Sequence, residues 1–125
     1  MGVKIEILGV PEMIKKIGIL KNKIINAQRQ SLIEAGEHLR GEIILSISGQ
    51  GEEPRSVDTG NFMRSIQKTV DTEKAVIKSD VSYSKELEFG TSNRPARSHF
   101  QNSANREETK IKEIINKTVK NALKS

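Results

Sequence analysis

Few residues in this chain have the type and spacing that chemistry requires. Asp58-Thr59-Gly60 is the triplet with which aspartic proteases hold a carboxylate on a tight loop, two copies sharing one proton. That mechanism needs an apolar strand leading into the Asp and a β-rich body behind it. Here the lead-in is Glu53-Pro54-Arg55-Ser56-Val57, and the residues after Gly60 read as helical. Asp58 is therefore read as a helix N-cap, its carboxylate accepting the free N–H groups of the first turn. Glu86 and Glu88 would share a face on a strand and diverge on a helix. With no histidine beside them, they are expected at a solvated or interface position, Glu88 pairing with Arg94 or Arg97. His38 and His99 lie too far apart in sequence for a two-histidine metal motif, and His99 beside Phe100 reads as a packing or loop residue. Cysteine is absent, which excludes disulfides, thiolate metal sites and thiol nucleophiles. No catalytic set, metal or cofactor is expected.

The chain has 125 residues, enough for one domain over 1–125 with a real core. Only 3% of residues are aromatic, so the core must be aliphatic. No apolar run approaches the ~20 residues of a membrane span, and no signal-peptide core opens the chain. A soluble, intracellular protein is expected. The net charge of +5 admits nucleic acid or an acidic protein surface as partner.

Val3, Ile5 and Ile7 alternate with Lys4 and Glu6, the period of a half-buried strand. Pro11 suits the first turn of a helix that runs to about Ser46. Its stripe is Ile14, Ile17, Ile24 or Ile25, Gln28, Leu32, Ala35, Leu39 and Ile43. A helix of that length would protrude, break near Gly18 or Gly36, or pack against another copy. Residues from about 48 to 57 mix turn formers and charges without periodicity and are expected to form a mobile loop. A short helix follows Asp58, then a hairpin of Gln67–Val70 and Ala75–Ser79 about Asp71-Thr72-Glu73. Tyr83 to Phe89 is a short helix closed by Gly90. A basic loop over Thr91 to Ser98 precedes an amphipathic helix with Ile111, Ile114, Ile115, Thr118, Val119, Ala122 and Leu123 on one face. The expected fold is α+β: a long N-terminal helix and a C-terminal amphipathic helix packed on a small antiparallel sheet.

Three segments resemble a known family. Asp58-Thr59-Gly60-Asn61-Phe62-Met63-Arg64-Ser65-Ile66 is similar to an "Asp-Thr-Gly-x-Leu-x-x-Ser-Ile" element. Tyr83-Ser84-Lys85-Glu86-Leu87-Glu88-Phe89-Gly90-Thr91 is similar to "Tyr-Ala-x-x-Val-Glu-Phe-Gly-Thr", and Arg94-Pro95-Ala96-Arg97-Ser98-His99-Phe100 to an "x-Ala-Arg-Pro-Phe" loop. The family is the gene-product-ten-like group of tail-completion proteins (neck, head–tail joining) of long-tailed phages and prophages. Ser84 stands for the usual Ala, Phe62 for Leu, and the Pro is displaced.

The resemblance implies a virion structural protein, made in the host cytoplasm, that assembles as a ring without catalysis. Its partners would be connector or head-completion proteins and tail-tube proteins, with DNA passing through the lumen and no membrane contact. Asp58, Thr59, Gly60, Ser65, Gly90 and Thr91 would shape turns. Tyr83, Leu87, Glu88, Phe89, Arg94, Arg97 and Phe100 are the candidate interface residues. A ring needs two different patches per subunit, and the long helix stripe and the Gly90–Phe100 loop are the candidates. The rival reading is a basic nucleic-acid-binding module, resting on the net charge and on the six Lys/Arg against three Glu from Asn105 to the C-terminus.

Overall fold

A computed structural model of the chain describes residues 2–8, 21–56 and 60–124. It is an α+β arrangement of one three-stranded antiparallel sheet and two long helices. In chain order the elements are β1 (Val3–Leu8), α1 (Lys21–Ile47), α2 (Asn61–Arg64), β2 (Gln67–Val70), β3 (Lys74–Ser79), α3 (Ser84–Phe89) and α4 (His99–Lys124).

The strands lie in the order β1-β3-β2. Val3 pairs with Ser79 and Ile7 with Ala75, while Thr69 pairs with Val76 on the other edge. This register puts Ala75, Ile77 and Ser79 of the central strand on one buried face, because successive side chains of a strand alternate sides. Asp71 closes the β2–β3 turn by accepting the N–H groups of Glu73 at 2.7 Å and Lys74 at 2.9 Å.

α1 lies over β2 and β3, and α4 runs along α1 as far as β1. The part of the expected stripe whose side chains are described is buried within the chain: Gln28, Leu32, Ala35, Leu39 and Ile43 are all 1% exposed or less. From Gln28 to Ile43 this corrects the expectation that the stripe forms a partner patch, because the sheet and α4 already cover it. Nor does the helix break at Gly36. A Cβ there would lie 3.1 Å from Lys68 Cδ and 3.3 Å from the Ala75 methyl, so the missing side chain lets the hairpin close on the helix. Polar contacts fix that approach. Gln28 Nε2 donates to Thr72 O at 2.6 Å, and Arg40 Nε donates to Ile66 O at 3.0 Å. The stretch 9–20, with Pro11, Ile14, Ile17 and Gly18, lies outside the described residues.

Candidate functional site

The site forms where α3, the residues before α4 and the segment after α1 meet. A helix leaves its first N–H groups without internal partners. At α4 these are met from a distance: Glu88 Oε1 accepts Phe100 N and Glu88 Oε2 accepts Gln101 N, each at 2.8 Å. Glu88 is 3% exposed and Phe100 1%. Both are buried within the chain and not on a surface open to a partner, and Glu88 bonds the α4 amides, not Arg94 or Arg97, which corrects both expectations. The unmet amides at the start of α4 are the stronger claim on that carboxylate. Burial raises the Glu88 pKa, opposed by the two backbone hydrogen bonds, and the charge of Glu53 adds to the rise. Arg97 N to Leu87 O at 2.7 Å and Ser98 Oγ to Glu88 O at 2.9 Å lash the loop to α3.

This arrangement explains Phe89. Ser84 and Glu88 are one turn apart on the inward face of α3, so the next residue is rotated outward. Phe89 is 67% exposed. Of the four aromatics, Phe62 and Phe100 lie in the core, while Tyr83 and Phe89 are exposed. Gly90, at φ +77°, ends the helix, and a Cβ on it would sit 2.7 Å from Ala96 N. Only glycine fits that turn.

Beneath lies a buried polar chain around His99, the first residue of α4. Glu53 is gripped by Arg106 through two bonds, at 2.6 and 2.9 Å, and also accepts Ser46 Oγ at 2.5 Å and Asn102 Nδ2 at 3.0 Å. His99 Nδ1 lies 2.8 Å from Ser46 Oγ, and its Nε2 lies 2.6 Å from Ser56 Oγ. Arg97 donates to Ser56 Oγ at 3.0 Å and to Arg55 O at 2.6 Å. A carboxylate only accepts, so the Ser46 hydroxyl hydrogen goes to Glu53. Ser46 must then accept from His99 Nδ1–H, leaving Nε2 to accept from Ser56. The donors run one way, from Arg97 to Glu53.

The Arg106 bonds, with help from Ser46 and Asn102 and against the cost of burial, hold the Glu53 carboxyl down at about 2. Burial holds His99 down at about 4, the Glu53 charge opposing and the Arg97 charge assisting, so the ring is neutral at ordinary pH. A serine hydroxyl on an imidazole is the pairing nucleophilic catalysis uses. A ring of such low basicity draws a proton from serine poorly, since a general base works best with a pKa near the operating pH. The chain of bonds instead anchors residues 53–56, so the segment expected to be mobile is tied to α4 by Glu53 and Ser56.

Over this floor opens a groove of about 920 Å³ between residues 54–56, α3 and the loop 91–97. Arg55, Arg94, Arg97 and Glu86 line it, with Tyr83, Leu87 and Pro95 among its apolar residues. Phe62 binds the parts together, edge-on to Tyr83 at 5.9 Å and to His99 at 6.0 Å between ring centres.

The structure thus brings together Tyr83, Leu87, Arg94 and Arg97 at one groove, with Glu88 and Phe100 beneath. Ser65 lies apart, its hydroxyl on Phe62 O at 2.6 Å and on Ser79 Oγ at 2.7 Å. Thr91 bridges to Arg94 within the loop. Gly60, at φ +83°, holds the N-cap position of α2, which corrects the expectation of Asp58 there; Asp58 and Thr59 themselves lie outside the described residues. Sequence reasoning did not find Ser46, Ser56 and Arg106, nor the buried role of Glu53. These residues belong to three separate segments, and no spacing rule links them. No protein-family model matches the chain, and neither does any curated protein or solved structure.

Proposed function

We propose that the chain is a structural subunit that assembles with copies of itself and acts by surface complementarity without catalysis, in the manner of the tail-completion proteins its motifs resemble. One observation carries the reading. The three motif segments converge, the first across the hairpin from the other two: Phe62 touches Tyr83 and His99, Arg97 holds Leu87, and Glu88 holds Phe100. Their shared product is a cationic groove beside an exposed Phe89.

Ring assembly needs a second, complementary patch. The exposed β2–β3 turn offers Asp71 and Glu73, opposite in sign to Arg55, Arg94 and Arg97. A stable contact buries about 800 Å² on each partner, about a tenth of this chain's 7856 Å². The groove alone is too small, so Phe89 and the 91–97 loop would join it. In the particle, the neighbours would be connector and tail-tube proteins, with DNA in the lumen.

Light scattering on size-fractionated protein tests this reading, with Phe89→Asp and Arg94→Glu as variants. Concentration-dependent assembly of the wild type, lost in both variants while their melting is unchanged, is expected. A monomer at every concentration that binds neither connector nor tail-tube protein overturns it.

A further inference from the structure

Away from the groove, on the seam between the two long helices, three side chains converge that the assembly reading does not use. His38 and Glu42 stand four residues apart on α1 and so share a face. Glu107 reaches them from α4. One ligand atom from each lies within 4.8 Å of the other two, and all three residues are half-buried. His38 Nε2 and Glu107 Oε1 are in hydrogen-bond contact. Glu42 has no hydrogen bond or ion pair among the described residues, although its carboxylate is held near that of Glu107.

We propose that His38, Glu42 and Glu107 form a binding site for a first-row divalent cation, Zn²⁺ foremost. Two carboxylates held this close at a half-buried seam repel each other, and a divalent ion removes that repulsion. One imidazole nitrogen with two carboxylate oxygens is a donor set for zinc and its neighbours, whereas Ca²⁺ and Mg²⁺ favour oxygen throughout. Zinc bonds of about 2.0–2.2 Å place tetrahedral ligands roughly 3.4 Å apart. The Glu42 oxygen must therefore approach while the His38–Glu107 contact opens to admit the ion, both within the reach of glutamate side-chain rotations. Three protein ligands leave one position for water. Because the ligands come from both helices, the ion would staple α4 to α1.

Calorimetric titration of the chelator-treated full chain with ZnCl₂ tests the proposal, together with the visible spectrum of the Co²⁺-loaded protein. One equivalent of Zn²⁺ should bind saturably and raise the melting temperature. Glu42→Gln, which breaks no contact of the metal-free protein and relieves the carboxylate repulsion, should not lower metal-free melting and should weaken Zn²⁺ binding by about tenfold or more. His38→Gln should abolish the Co²⁺ absorption bands. Absence of saturable binding overturns the site. So does binding that both variants leave unchanged, which would place the ion elsewhere.

Discussion

Replacing Glu53 with Gln tests whether the buried chain of bonds holds the segment after α1. The substitution keeps size and shape, so it reports charge and hydrogen bonding, not packing. In the wild type, four donor atoms converge on this carboxylate, two of them from the Arg106 guanidinium. Moving a carboxyl from its ordinary 4.5 to about 2 corresponds to roughly 3 kcal/mol of preference for the ionised form in the folded state. Removing one partner of a buried pair costs about 3–5 kcal/mol when the other stays buried. Arg106 keeps 28% of its side chain exposed and turns to water, which favours the lower figure. The expected loss is about 2–3 kcal/mol near neutral pH by urea denaturation. The pH dependence fixes the cause. Because the folded-state value lies below the unfolded one, the contribution is complete above pH 4.5 and disappears as pH falls towards about 2. The gap between wild type and variant should close over the same range. A loss under about 0.5 kcal/mol, the size of an ordinary surface change, would refute the argument. So would a gap that stays constant down to about pH 2.

Three further outcomes follow from the same geometry. The His99 ring should stay neutral on acidification to about pH 4 in an NMR titration. Since the unfolded ring protonates first, the chain should lose roughly 3 kcal/mol of stability as pH falls from 6.5 to about 4. Glu88→Ala removes both acceptors at the start of α4, so the Phe100 and Gln101 amides should exchange faster with solvent; the global cost, judged against ordinary caps, should be about 0.5–2 kcal/mol. Gly90→Ala combines a left-handed backbone with a close contact to Ala96 N, and a loss of about 1–3 kcal/mol is expected in thermal melts.

The elements were legible where one physical period dominates. Val3, Ile5 and Ile7 marked β1, the Asp71-Thr72-Glu73 turn marked the hairpin, and the stripe from Gln28 to Ile43 marked α1. What lay across the stripe was not legible, because burial by a sheet and burial by a second copy demand the same apolar residues. Nor was His99, which reads as a packing or loop residue, legible as the first residue of α4. His99 to Ala104 carry no apolar stripe; Glu88, eleven residues before His99, supplies their cap from another element. The His99 chain was invisible for want of any local pattern: Ser46 ends a helix, Glu53 and Ser56 sit in a segment that reads as loop, and Arg106 looks like a solvated helix charge.

One turn of α3 links stability to surface. With Glu88 directed inward to cap α4, a rotation of about 100° per residue requires Phe89 to point outward. The alternative register would bury Phe89 and expose the carboxylate, leaving the first amides of α4 without their acceptor, at the cost of a lost cap, about 0.5–2 kcal/mol. Phe89 is therefore exposed for a reason internal to the fold, and its exposure alone does not demonstrate a partner. The case for assembly rests on Phe89 together with the arginine-lined groove beside it, which the capping of α4 does not require. Arg94 is exposed, and its side chain makes no hydrogen bond or ion pair among the described residues. Its charge, more than the phenyl ring, is what a neighbouring acidic surface would select.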